Sequence, residues 1–323
     1  FDAAKLSSYN KIYIVACGTA MHAGMVGKYV IEKLARTEVT VDIASEFRYR
    51  NPIIDEKTLC IFVSQSGETA DTLAALRLSK LHGARTLAIS NVIGSTITRE
   101  ADYTIYTHAG PEIAVASTKA YTSQVCLIAM LGIYFAELLG SYSKDELEKL
   151  KADILDLPSK IEAVLDNCEE IKTFASKVYT QKDMFFLGRG TDYNVALEGS
   201  LKLKEISYIH SEAYAAGELK HGPIALIENG VTVIGIITNK ELVEKTISNM
   251  QEVITRGAKT LIITNQILPN NNFGYVINIP ETNELISPIL SVIPLQLLSY
   301  YISKNKGLDV DKPRNLAKSV TVE

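Results

Sequence analysis

No two of the four cysteines, Cys17, Cys60, Cys126 and Cys168, are spaced as CxxC. That spacing argues against a disulfide framework and against a zinc site, so neither a metal nor a cofactor is expected and a reducing, cytoplasmic setting fits. Long runs of one charge are also missing. With 33 basic side chains against 37 acidic and a net charge of −4, nothing in the chain would track a nucleic-acid backbone, and nucleic acid is not an expected partner. The longest apolar stretch, residues 125–139, contains Glu137 and falls short of the roughly 18–20 residues that span a bilayer. It predicts a buried helix and no membrane. The opening Phe1, Asp2, Ala3, Ala4 and Lys5 has neither a basic nor an apolar leader segment and lacks an initiator methionine, which leads us to expect a piece of a longer protein.

What is present is 47% apolar residues in a chain of 323, enough for about two cores of ordinary domain size. An internal repeat supports the same division. His82, Gly83, Ala84, Arg85, Thr86, Leu87, Ala88, Ile89, Ser90 and Asn91 read closely against the segment from Arg256 to Asn265, which is Arg-Gly-Ala-Lys-Thr-Leu-Ile-Ile-Thr-Asn. The offset is 174 residues, and Gly18 against Gly190 gives 172. Such self-similarity marks a duplicated domain. Within each copy, short β-branched runs such as 59–63 and 86–89 alternate with helical patterns such as 70–81, the reading of βαβ units. Strands that short and continuously apolar belong to a mainly parallel sheet covered on both faces, so each copy is expected to be a three-layer α/β/α sandwich. The expected boundaries are 1–142 for the first domain, 143–180 for connecting helices interrupted by Pro158, 181–300 for the second domain and 301–323 for a tail.

The strongest local signal is Ser64, Gln65, Ser66, Gly67, Glu68 and Thr69, between a strand and a helix. Hydroxyls, a flexible glycine and free N–H groups at a helix start make a neutral cradle for a phosphate dianion. There is no Walker lysine, which excludes a nucleotide P-loop. A simple capping turn explains the same residues. Gly18 and Thr19 follow another strand and precede the helix around 22–34, facing the same crevice or forming only a tight turn. Glu198, Lys202 and Glu205 fall at i, i+4 and i+7 of one helix and so share a face. Exposed ion pairing would also account for them. The nearby loop of residues 217–223 exposes His221, a candidate proton shuttle close in sequence to acid, base and amine.

These segments, with Glu46, Phe47, Arg48, Tyr49 and Arg50, with Val115, Ala116, Ser117, Thr118, Lys119 and Ala120, with Gly188, Arg189 and Gly190, with residues 201–210 and with the ending from Pro313, resemble the glutamine–fructose-6-phosphate aminotransferase family over nearly the whole chain. The resemblance implies two tandem sugar isomerase (SIS) domains acting on fructose 6-phosphate. It implies that Ser64, Gln65, Ser66 and Thr69 hold the phosphate, while Thr19, Val115, Ser117 and Ala317 meet the sugar. His221 then opens the sugar ring from the neighbouring subunit of a homodimer. Lys318 forms a Schiff base with the ketone, Glu205 moves the proton between C1 and C2, and Lys202 assists. The expected ligands are fructose 6-phosphate, glucose 6-phosphate and glucosamine 6-phosphate.

Two departures stand out. Ala20 replaces a serine frequent in the family, removing one hydroxyl. Nothing in the chain resembles the family's glutaminase domain with its N-terminal cysteine, so ammonia must come from elsewhere. In the second copy, the position of the hydroxyl block reads Thr238, Asn239, Lys240, Glu241 and Leu242, so one phosphate site per chain is expected. The rival readings are another phosphosugar isomerase or a fructosamine deglycase, which would not need Lys318, and a sugar-phosphate-sensing regulator, which would be expected to carry a DNA-binding or docking segment.

Overall fold

The computed structural model describes residues 3–269 and 272–322; Phe1 and Asp2 of the opening segment, Asn270, Asn271 and the final Glu323 lie outside the described residues. The chain divides into two compact units. One comprises Phe1–Ile113, Ser117–Ala152 and Ala317–Glu323; the other comprises Ala114–Ala116 and Asp153–Leu316.

In the first unit, strands β1 (Lys11–Ala16), β2 (Val39–Ile43), β3 (Thr58–Ser64), β4 (Arg85–Ser90) and β5 (Tyr103–Tyr106) form one sheet in the order β2-β1-β3-β4-β5. Every pairing is parallel. The helices are α1 (Ala3–Ser7), α2 (Gly18–Ala35), α3 (Ala44–Phe47), α4 (Ala70–Leu81), α5 (Thr96–Glu100) and α6 (Lys119–Leu139). Successive strand residues face opposite layers. Tyr13 and Val15 join Cys60, Phe62 and Ala88 against Phe47 of α3 and Leu73, Ala75 and Leu76 of α4. Ile14 turns the other way, toward α2, where a Cβ on Gly24 would lie 2.7 Å from Ile14 Cγ2.

Helices α2 and α6 pack on that second face with their backbones close together. A Cβ on Gly27 would lie 2.4 Å from Ile128 Cγ2. Gly27→Ala should therefore destabilise the protein although alanine is the better helix former. The propensity gain is about 1 kcal/mol and overpacking costs about 1–3 kcal/mol. The net loss should appear as a lower urea midpoint; a raised midpoint would show that the two helices separate freely.

One expectation is corrected by α6. The helix is 21 residues long, with a mean hydropathy of 1.6 over its best 18-residue window, so by length and composition it could cross a membrane. The apolar run from 125 was only part of it, because Thr122, Ser123 and Gln124 belong to the same helix. Half of that window is buried inside the protein, with Tyr121, Val125, Ile128 and Phe135 nearly inaccessible. The expected buried helix is thus present, but its length does not argue against a membrane.

Helices α7 (Lys144–Asp166) and α8 (Glu169–Val178) fill the segment expected to be helical, and the division between the units falls within α7. Pro158 does not interrupt α7, which continues through it. The second unit then runs β6 (Asp183–Gly188), α9 (Thr191–Ser207), β7 (His210–Ala215), β8 (Thr232–Ile237), α10 (Val243–Ile254), β9 (Lys259–Thr264), β10 (Tyr275–Asn278) and α11 (Ser287–Asn305). Its sheet order is β10-β9-β8-β6-β7, parallel throughout. Counted from the start of each copy, both sheets read second, first, third, fourth, fifth, so the repeat seen in sequence is a repeat of topology. Phe185, Leu187, Val233, Ile237 and Ile262 pack toward Met250 and Val253 of α10. On the other face α9 meets α11, with Gly199 against Leu295. Each unit is a three-layer α/β/α sandwich with a parallel sheet. The last helix reaches Asn305, five residues into the segment expected to be tail, because Tyr300, Tyr301 and Ile302 continue its apolar pattern.

Candidate functional site

In a sheet of this order the connections leaving the first and third strands diverge, and the crevice at their carboxyl ends is where ligands bind. Residues 64–69 leave β3 at that point in the first unit, and α2 leaves β1 there. The helix starts at Gly18, so Gly18 and Thr19 form its first turn instead of preceding it.

The 64–69 segment is a preorganised hydroxyl cradle. Ser64 is buried, and its Oγ accepts the Gly67 N–H at 3.0 Å and lies 3.2 Å from Thr69 Oγ1. Ser66 Oγ accepts the Glu68 N–H at 3.2 Å. Gly67 has φ +68°, and a Cβ there would lie 2.1 Å from Ser95 Oγ, so glycine is required both for conformation and for space. The turn after β4 fastens the segment: Asn91 N–H donates to Gln65 O, Ile97 N–H to Gly67 O, and Thr96 N–H to Glu68 Oε1. That last bond holds the Glu68 carboxyl below its ordinary range. Thr69 occupies the cap position of α4 without a side-chain cap bond, so capping is not what its hydroxyl does.

The chain terminus lies on this cradle. Ser319 Oγ is 3.1 Å from Ser66 Oγ, and Ala70 N–H donates to Val320 O at 3.2 Å. Lys318 Nζ meets Glu112 Oε2 at 2.6 Å. Glu112 Oε1 accepts the backbone N–H groups of Thr118 and Ala120, at 2.8 and 3.2 Å, at the start of α6. Burial works to raise the Glu112 pKa, but its bonds to Lys318, Thr118 and Ala120 outweigh burial and hold it below the ordinary glutamate value. Asn91 secures the loop leading to Glu112, accepting from Thr107 and Ala109 and donating to Gly110 O. Neither Glu112 nor Asn91 was among the candidates from sequence.

In the second unit, α9 carries a buried charge relay. Lys202 Nζ lies 3.4 Å from Glu198 Oε1 and 2.5 Å from Glu205 Oε2, with side-chain exposures of 2%, 0% and 21% for Lys202, Glu198 and Glu205. Exposed ion pairing, which the spacing allowed, is therefore ruled out. Burial pulls the ammonium pKa down, the two carboxylates push it up, and the net shift is upward. Glu205 also lines a groove of about 480 Å³ with Leu201, Lys204, Tyr208 and Arg314. Arg314 lies over the Tyr208 ring at 4.3 Å and donates its backbone N–H to the Tyr208 hydroxyl. Val115 belongs to this unit, its N–H donating to Asp311 O.

His221 is exposed at the end of a 3₁₀ turn, Ala216–His221, where the sequence suggested an irregular loop. Arg189 donates to Asn249 on α10, and a Cβ on Gly217 would lie 2.8 Å from Arg189 Nη2, so the turn is seated on that guanidinium. Thus Ser64, Gln65, Ser66, Thr69 and Lys318 gather with the tail in the first unit, where Thr19, Ser117 and Ala317 also belong. Lys202 and Glu205 gather in the second, and His221 stands apart on its turn.

At the offset of 172, Asp192 corresponds to Ala20, and at 174, Thr238 corresponds to Ser64. Asp192 is fully buried and accepts the N–H groups of Thr238 and Asn239 and the Thr238 hydroxyl. Burial pushes its pKa up against those three bonds. The second copy thus places its own carboxylate at the strand end where the first copy has its hydroxyl cradle.

The SIS domain family matches residues 5–134 and 177–303. The chain is 64% identical over 321 residues to a glutamine–fructose-6-phosphate aminotransferase (isomerizing) of Clostridium tetani, covering 99% of this chain and 53% of that protein. It is 61% identical to the Clostridium perfringens protein of the same name, covering 98% and 53%. The chain therefore spans about half the length of these curated relatives. Among solved structures, the C-terminal domain of glucosamine-fructose-6-phosphate aminotransferase from Francisella tularensis superposes with a TM-score of 0.92 at 40% identity, covering 96% of this chain and 89% of that one. A glucosamine-6-phosphate deaminase from Thermotoga maritima shares the fold at 24% identity, with a TM-score of 0.78 over 98% and 93% of the two chains.

Proposed function

The chain belongs to the SIS domain family and, within it, to the isomerase part of the glutamine–fructose-6-phosphate aminotransferases, and on that premise we propose that it converts fructose 6-phosphate and ammonia to glucosamine 6-phosphate, a step of amino-sugar biosynthesis. The observation that carries this reading is the hydroxyl cradle of residues 64–69 at the switch point, with Ser319, the neighbour of Lys318 in the chain, hydrogen-bonded to Ser66.

The neutral cradle suits a phosphate dianion, leaving the sugar carbons for Lys318 and Glu205. Once its ammonium has lost a proton, the Lys318 amine adds to C2, and the carbonyl oxygen leaves as water with both amine hydrogens. Ammonia then replaces the lysine on C2. Glu205 takes a proton from C1 and returns one to C2, while the C1 hydroxyl gives up its proton and the imine nitrogen gains one, turning the C2 imine into the 2-amino aldose. Lys202, at 2.5 Å, holds the Glu205 carboxyl in place for that transfer. His221, exposed on its turn, opens the ring of the sugar held by the neighbouring subunit of a homodimer. Ammonia comes from a glutaminase domain outside this chain, which the half-length match to the relatives supports. The four unpaired cysteines fit a reducing cytoplasm.

The test is incubation with fructose 6-phosphate, with and without ammonium, followed by analysis for glucosamine 6-phosphate and glucose 6-phosphate. Binding without either product would overturn the reading. The cradle makes its own prediction. Thr69→Val removes one hydroxyl at constant shape, and a hydrogen bond to a charged group contributes about 1.5–3 kcal/mol. The KM for fructose 6-phosphate should rise about 10- to 100-fold with kcat nearly unchanged, as steady-state kinetics would show.

A further inference from the structure

We propose that Glu112 is a positioning residue that docks Lys318 beside the cradle and retains the tail when phosphate is bound; this rests on the reading of Lys318 as the Schiff-base amine. Contacts of the tail with this unit include those of Ser319, Val320 and Lys318. In two of them, Ser319 donates its hydroxyl to Ser66 Oγ and Val320 O accepts the Ala70 N–H. A phosphate seated there takes the N–H at the start of α4, so the Val320 contact and the substrate exclude each other. The third, Lys318 to Glu112, shares no donor with the phosphate.

Glu112 is built for that task. Its side chain is only 5% exposed, and one carboxylate oxygen is fixed by two backbone N–H groups at the start of α6, leaving the other to face Lys318. Its loop is held in turn by Asn91, which also donates its backbone N–H to Gln65 O in the cradle. The distance from lysine dock to phosphate cradle is therefore set by one residue. Because the carboxyl is held in its ionised form, Glu112 does not serve as the proton acceptor for the ammonium. It holds the charged lysine until substrate arrives, and the lysine gives its proton elsewhere before attacking C2.

The experiment uses the whole chain and Glu112→Gln, which keeps an oxygen for the two N–H groups but loses the charge. Borohydride is added with fructose 6-phosphate, and the reduced adduct on Lys318 is followed by mass spectrometry. The expected result is an adduct that forms at least about tenfold more slowly, with KM within about twofold and kcat lowered in step. Adduct formation at the wild-type rate would overturn the role of Glu112 alone. A wild-type chain that binds the sugar phosphate but gives no adduct would overturn the Schiff-base reading and this inference with it. Should Glu112→Gln fail to fold, Lys318→Met tests the dock from the tail side: with inorganic phosphate present, chymotrypsin cleavage after Leu316 should be about tenfold faster than in wild type, and equal rates would overturn the proposal.

Discussion

Glu205→Gln is expected to form glucosamine 6-phosphate from fructose 6-phosphate and ammonium about 10²- to 10⁴-fold more slowly than the wild-type chain, the range contributed by a positioned general base. Glutamine fills the same space and can still accept from Lys202, but it cannot take the C1 proton. Glu205 is suited to the task because it is the one of the three charged groups on its helix face that reaches solvent, at 21% exposure, in a groove of about 480 Å³. Two measurements separate loss of chemistry from loss of binding. Affinity for the sugar phosphate should stay within a few-fold, because the cradle belongs to other residues, and exchange of the C1 hydrogen with deuterium oxide should fall as far as turnover does. Turnover within tenfold of wild type would place the base elsewhere.

The second large effect is on stability. Lys202→Met leaves Glu198, fully buried, facing Glu205 without the cation between them. Removing one partner of a buried ion pair costs about 3–5 kcal/mol, and for a unit of this size each kcal/mol lowers Tm by about 2–4 °C. A fall of roughly 6–20 °C is therefore expected in calorimetry, and Glu198→Gln added to Lys202→Met should restore part of it. An unchanged Tm would mean that the buried Glu198 does not need the ammonium beside it. The pH dependence has a definite sign. A lysine whose folded pKa is raised above its usual 10.5 stabilises the fold fully below that value and loses the contribution as pH climbs through the raised one. The wild-type advantage over Lys202→Met should thus hold through neutral pH and shrink only in strong alkali.

The sheet and the cradle were legible in the sequence because each rests on local pattern. Short β-branched runs, a hydroxyl-rich block between strand and helix, and two copies at nearly one offset need no knowledge of distant contacts. Burial was not legible. Glu198 and Lys202 have the spacing of an exposed helix pair, and only the packing of α9 against β6, β7 and α11 takes them out of water. The Glu112 dock was hidden for another reason: 206 residues separate it from Lys318, and an acidic residue in a loop carries no pattern of its own. The extent of α6 is hidden because Thr122, Ser123 and Gln124 belong to the helix and Gln124 is buried in it, whereas a count of apolar letters stops at the first polar one.

Asp192 bears on the history of the duplication. A loop that merely lost its hydroxyls could regain them by single substitutions, and a second phosphate site could reappear. Here the amides at the strand end already have a covalently attached acceptor. A restored hydroxyl block at 238–242 would find those amides occupied, and an incoming dianion would have to displace the Asp192 carboxyl from them. Reversion would have to begin with removal of Asp192, at a position whose loss leaves buried N–H groups without an acceptor. The asymmetry between the two halves is thus protected by order of events: the step that must come first is the one that weakens the fold.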